Sequence, residues 1–242
     1  MKGNRLLRFT ANAIIQAVVI VILLGAGSSR ADFSLPPEIK NNVAIATSID
    51  IGKVITPSTK SDDLEKLRYA ASLIDNAVLP EGKGGVYEAK ILKVKKSFPI
   101  YRAYTKKTDP KTQRNNRIGG WWAPIPPKPG STKDDYRQNY EVCAGWNPDL
   151  DMVVQCWVYP GALVLIGPGQ SVDEAACGKE NERYAADGGK KNLQIFIFEM
   201  YKHQFEGRDR QTVPPGKDMF VRCPPPADDL PFERYTETRE QN

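Results

Sequence analysis

Histidine is almost missing from this chain: its 242 residues hold one, His203. No Cys-x-x-Cys pair and no Cys/His cluster occurs. That excludes an ordinary zinc site, which needs such ligands in close groups. A Ser-His-Asp triad would depend on His203 alone, at the end of an apolar strand, where a structural role is commoner. P-loop, Gly-x-Ser-x-Gly, His-Glu-x-x-His and EF-hand signatures are also absent. No apolar run reaches the roughly 20 residues of a comfortable spanning helix.

Basic excess is smaller than it looks. The formal charge is +5, from 34 Lys+Arg against 29 Asp+Glu. Lys2, Arg5, Arg8 and Arg30 supply four of those bases before residue 32 with no acid among them, leaving 30 against 29 beyond it. A near-neutral remainder gives no electrostatic case for nucleic acid. The polar stretch 105–116 reads as a solvated loop, because no aromatic residue interleaves with its charges.

What is present starts with residues 1–31. A basic opening, KGNRLLR, precedes an apolar run from Ala13 to Gly27 broken only by Gln16. Ser28-Ser29-Arg30-Ala31 follows, with small residues at the two positions a signal peptidase reads. This is the layout of a secretory signal peptide, cleaved after Ala31 to leave Asp32 at the N-terminus. The alternative is an uncleaved anchor that meets the membrane only through residues 11–27. Both readings put 32–242 outside the cytoplasm, secreted or periplasmic, since the basic end stays inside.

Four cysteines, Cys143, Cys156, Cys177 and Cys223, all fall in the exported part. An even count in an oxidising compartment implies two disulfides, and three pairings are open. YEVCAGW and MVVQCWVY, around Asn147-Pro148-Asp149, read as a hairpin that sets Cys143 opposite Cys156. That favours Cys143–Cys156 with Cys177–Cys223.

Along 32–242 the pattern gives one domain. Ser61-Asp62-Asp63-Leu64-Glu65 opens a helix, with a capping serine and acids at its positive end. Leu64, Leu67, Ala71, Ile74 and Val78 form its apolar face, and Leu79-Pro80 stops it. Strands follow: 43–51 before the helix, then 86–94 and 98–104 as a hairpin, 140–145, 152–158, 162–166, 193–201 and 218–223. The expected class is α+β, one N-terminal helix with a mainly antiparallel sheet, disulfide-bonded. The charged, proline-rich segment from about 224 reads as an extended or mobile tail.

Three places carry candidate chemistry. Arg102 interrupts the apolar strand IYRAY on the face opposite Tyr101 and Ala103, where a guanidinium fork would suit a phosphate pair. Gly119-Gly120-Trp121-Trp122 sets two aromatic rings on opposite faces of a strand, one of them suited to stacking on a ligand ring. Gln194 opens the strand LQIFIF after Gly188-Gly189, where a neutral amide would orient a hydroxyl or water.

In this order, IYRAY, GGWWAP, YPGALVLIGPGQS and GGKKNLQIFIF resemble secreted ADP-ribosyltransferase-like toxin domains and related NAD glycohydrolases, over about residues 98–200. The resemblance implies NAD as substrate rather than a bound cofactor. Arg102 would hold its phosphates, Trp122 would wall the nicotinamide, and Gln194 would act on the ribose. One departure is plain: Gln194 is followed by Ile195-Phe196, and the nearest acid, Glu199, turns to the other face of a regular strand. Protein-modifying transferases of the family carry Glu-x-Glu or Gln-x-Glu there, so the resemblance fits NAD cleavage better. The competing expectation is a non-catalytic exported binding or envelope protein.

Overall fold

The computed structural model describes residues 34–45, 72–87, 89–107, 116–185, 192–197, 204–206 and 220–237. Residues 1–31, His203 and Glu199 lie outside this set, as does the whole of the expected helix start, 61–65. Among the described residues there are ten strands: β1 (Val43–Ile45), β2 (Lys90–Val94), β3 (Phe98–Tyr104), β4 (Trp121–Trp122), β5 (Met152–Val158), β6 (Leu163–Pro168), β7 (Leu193–Phe196), β8 (Gln204–Glu206), β9 (Val221–Cys223) and β10 (Leu230–Pro231). Helices are few and short, so the class is α+β with mostly antiparallel sheets.

One sheet runs β1-β2-β6-β7-β4, antiparallel at every step. The other is built on β5, paired with β3 along its whole length on one edge and with β9 and β10 on the other. β8 adds to β9 in parallel. Just past β4, Ala123 exchanges two backbone hydrogen bonds with Tyr101 of β3, at 2.7 and 2.9 Å, and so stitches the sheets together.

The main core lies between the sheets. Alternation supplies it: Leu92 and Val94 from β2, Phe98 and Ile100 from β3, Val154, Cys156 and Val158 from β5, Val164 and Ile166 from β6, and Ile195 from β7. Residues of opposite parity face outward and need covers. Residues 72–77 form a helical turn whose Leu73 and Ala77 cover Leu165 and Phe196 on the first sheet. The expected apolar face is shifted there: Ile74 packs beside that pair, whereas Val78 is exposed past the helix end. On the second sheet, Tyr136 and Tyr140 of the Lys133–Tyr140 helix and Phe232 of the Phe232–Thr236 helix cover Ala103 and Val153.

Four sequence expectations are corrected. β2 and β3 are not a hairpin. Residues 95–97 carry the chain from one sheet to the other, β2 pairs with β1 and β6, and the Lys95 and Lys96 amides bond to the Asn42 carbonyl. Period-2 alternation fixes the face a strand buries, and both strands bury theirs in the same core, so it says nothing of pairing. The expected strand 140–145 is instead a helix end and turn. Thr132 accepts from the Asp135 amide at 3.0 Å while Asp135 accepts from the Thr132 amide at 2.7 Å, a capping box that starts the helix.

The disulfides pair Cys143 with Cys177 and Cys156 with Cys223. With no hairpin at 147–149, Cys143 never faces Cys156. Continuing the Val158↔Val221 and Trp157↔Arg222 register sets Cys156 beside Cys223 inside the core. Cys143 instead joins a separate small cluster with Val172, Cys177 and Tyr184. Finally, the segment beyond Pro224 is part of the fold as far as Glu237: Phe232 is buried and Asp229 is held by two interior side chains.

Candidate functional site

Arg102 does lie on the face away from Tyr101 and Ala103, as alternation requires. Two of its donors are used on the protein's own backbone. Nε donates to the Asn116 carbonyl at 2.8 Å and Nη1 to the Trp121 carbonyl at 2.7 Å. The guanidinium lies flat against Gly119, where an added Cβ would sit 3.0 Å from Cζ. Glycine at 119 is what lets the 116–121 segment come this close. Arg102 thereby acts as a strut beneath the Gly-Gly-Trp-Trp strand. Burial lowers its affinity for its proton.

The two tryptophans divide between faces. Trp122 is 2% exposed, packs in the main core and donates Nε1 to the Gly119 carbonyl at 2.7 Å. Trp121 turns outward against Phe196, ring centroids 4.7 Å apart. Arg102 and Trp122 therefore meet around Gly119.

Gln194 is elsewhere. β7 sends Leu193, Ile195 and Ile197 into the main core and Phe196 to the outer face, so Gln194 shares the outer side. Trp122 pairs in register with Ile195. The indole and the Gln194 amide consequently lie on opposite faces of one sheet. Gln194 is buried, and its Nε2 donates to the Tyr140 carbonyl at 3.1 Å and to Glu141 Oε2 at 2.5 Å. The three residues that the resemblance assigns to NAD line no common cleft.

Sequence reasoning missed the groups around them. Glu141 ends the Lys133–Tyr140 helix in the left-handed region, at φ 49°, with its carboxylate buried over Gly169. A Cβ at 169 would collide with that carboxylate and come within 2.7 Å of Gln194 Nε2. The glycine in Gly-Pro-Gly-Gln is thus a close-approach residue. Arg117 and Asp229 form a buried ion pair: Nε–Oδ2 is 2.6 Å and Nη2–Oδ1 is 2.9 Å, with Nη2 also donating to the Pro224 carbonyl. Tyr104 donates to the same carboxylate at 2.7 Å. Burial, then the Asp229 hydrogen bond, raises the Tyr104 phenol well above its usual value.

Two surface features stand out among the described residues. A shallow groove of about 300 Å³ runs between Leu35, Pro36 and Pro37 on one side and Pro124 and Ile125 on the other. Leu193 also lines it, with Ser34 and Asn192 as polar groups. On the second sheet, beyond the helical covers, Trp157 is 40% exposed and paired in register with Pro99 and Arg222. Among the described residues the one close set of three Cys, Asp or Glu side chains is Cys143, Cys177 and Glu182, and its cysteines are bonded to each other. No family model, no curated protein and no solved structure matches this chain.

Proposed function

We propose that this chain is an exported, disulfide-locked domain that works by recognition, as a secreted, periplasmic or envelope binding module. The observation that carries the reading is the fate of Arg102, Trp122 and Gln194. Each bonds to neighbouring groups of the fold, and the last two face opposite ways across one sheet. NAD chemistry would need them around one substrate, because orientation supplies most of such catalysis. The signal-peptide layout of residues 1–31 supports export, and the two disulfides point to an oxidising compartment. The proline-lined groove and the Trp157 row are the surfaces a ligand would use.

Incubation of the purified chain with NAD is the test. The proposal expects no release of nicotinamide above the buffer rate, with Arg102→Ala and Gln194→Ala indistinguishable from the parent. Nicotinamide release that disappears in Gln194→Ala would reject it and restore the NAD-consuming reading.

A further inference from the structure

Beside the Cys143–Cys177 disulfide sits a carboxylate that the fold does not fully use. One oxygen of Glu182 and the two sulfurs lie within 4.8 Å of one another. Glu182 Oε1 accepts from the Ala144 amide and, at 2.9 Å, from the Tyr184 hydroxyl. Glu182 Oε2 is buried and has no hydrogen-bond partner. An interior carboxylate oxygen left bare is costly, and its position needs a reason. Arg137, the buried cation of this region, spends its donors on the carbonyls of Val142, Asn147 and Pro148. Among the described residues, no ion pair cancels the negative charge beside the sulfurs.

We propose that Glu182 guards this disulfide by charge, slowing its exchange with external thiols. Exchange begins when a thiolate attacks a sulfur in line with the S–S bond. Cys177 is 5% exposed and Cys143 is not exposed at all, so attack runs through Cys177. The new bond joins the incoming sulfur to Cys177 Sγ, the old bond breaks, and its electron pair stays on Cys143 Sγ as a thiolate. With a dithiol, its second thiolate then displaces Cys177, leaving the dithiol oxidised and both cysteines reduced. Incoming and leaving sulfurs both carry negative charge next to the Glu182 carboxylate, in a site where charges are poorly screened. The guard therefore acts against anionic thiols most and against cationic thiols least. It needs no assumption about what the protein binds.

The experiment follows exchange at Cys177 in the full, oxidised chain by alkylation and peptide mass, using cysteamine and 2-mercaptoethanesulfonate, with rates corrected to equal thiolate. The expected parent prefers the cationic thiol by about tenfold. Glu182→Gln keeps an oxygen for Ala144 and Tyr184, speeds the anionic thiol by about the same factor and removes most of the preference. Glu180→Gln, which deletes an equal charge from an exposed position of the same turn, leaves the preference intact. A parent without preference overturns the proposal. So does a Glu182→Gln variant in which both thiols speed up equally, since that signals a loosened loop. If Glu182→Gln does not fold, the parent decides alone: a buried charge is screened little, so its preference must persist from about 0.01 M to about 0.15 M salt, and a preference that collapses over that range, as an exposed charge would give, overturns the guard.

Discussion

At the scale of single residues, stability rests on a few interior polar groups. Arg117 and Asp229 have side chains 3% and 0% exposed, and Tyr104 completes their network. Removing one member of a buried pair costs about 3–5 kcal/mol. Asp229→Ala should lose that much in a guanidinium titration, whereas a loss under about 1 kcal/mol would show the pair to be dispensable. The tyrosines set a pH limit. Burial raises the phenols of Tyr104, Tyr136 and Tyr140, and it raises Tyr184 to about 12 with help from Glu182. An unfolded tyrosine releases its proton near pH 10, before these folded ones do. From there upward the unfolded state binds fewer protons, so stability is full below about pH 10 and falls as pH rises through the folded values. Urea midpoints should drop steadily between about pH 10 and 12, and a flat profile would contradict the burial described here. None of these partners is legible in the sequence. Arg117 and Asp229 are 112 residues apart, and nothing local marks either for the other.

At the scale of elements, legibility depends on whether the signal is local. Alternation over 98–104 predicts β3 to its observed bounds, and it predicts β5 equally well. The same rule gives Arg102 its face, yet its partners lie in the 116–121 segment, which alternation cannot see. The Lys133–Tyr140 helix was signalled by Thr132 three residues before Asp135 and by tyrosines four apart. A strand pattern centred on Tyr-Glu-Val-Cys obscured it. Thr132→Ala breaks the capping box and should cost about 1 kcal/mol in chemical denaturation. No change at all would mean that packing of Tyr136 and Tyr140 alone holds the helix. Gly169→Ala tests the approach of that helix end to β6. Its Cβ meets the Glu141 carboxylate, and a loss of about 1–3 kcal/mol is expected.

At the scale of the whole molecule, two sheets share one core, and each disulfide anchors a different part of it. Cys156–Cys223 joins β5 to β9 inside the main core across 67 residues; Cys143–Cys177 closes a segment of 34 at its side. Loop entropy alone gives roughly 4 kcal/mol for either, slightly more for the longer. Replacing Cys156 and Cys223 together by alanine also removes packing from the shared core. That pair should therefore lower the melting temperature more than Cys143 and Cys177 replaced together. Class, strand richness and the presence of two disulfides were readable because they follow from composition and short-range pattern. The pairing was not, because it depends on which strands from distant parts of the chain become neighbours.

The account turns on an oxidised fold in which β5 and β9 are neighbours and the loop after Tyr140 is tied to the Glu174–Cys177 helix. Non-reducing peptide mapping of the chain recovered from outside the cytoplasm tests it most directly. Peptides linked Cys143–Cys177 and Cys156–Cys223, with no free thiol, are the predicted result. Recovery of Cys143–Cys156 with Cys177–Cys223 would contradict the fold, and recovery of four free thiols would contradict the oxidised state on which it rests.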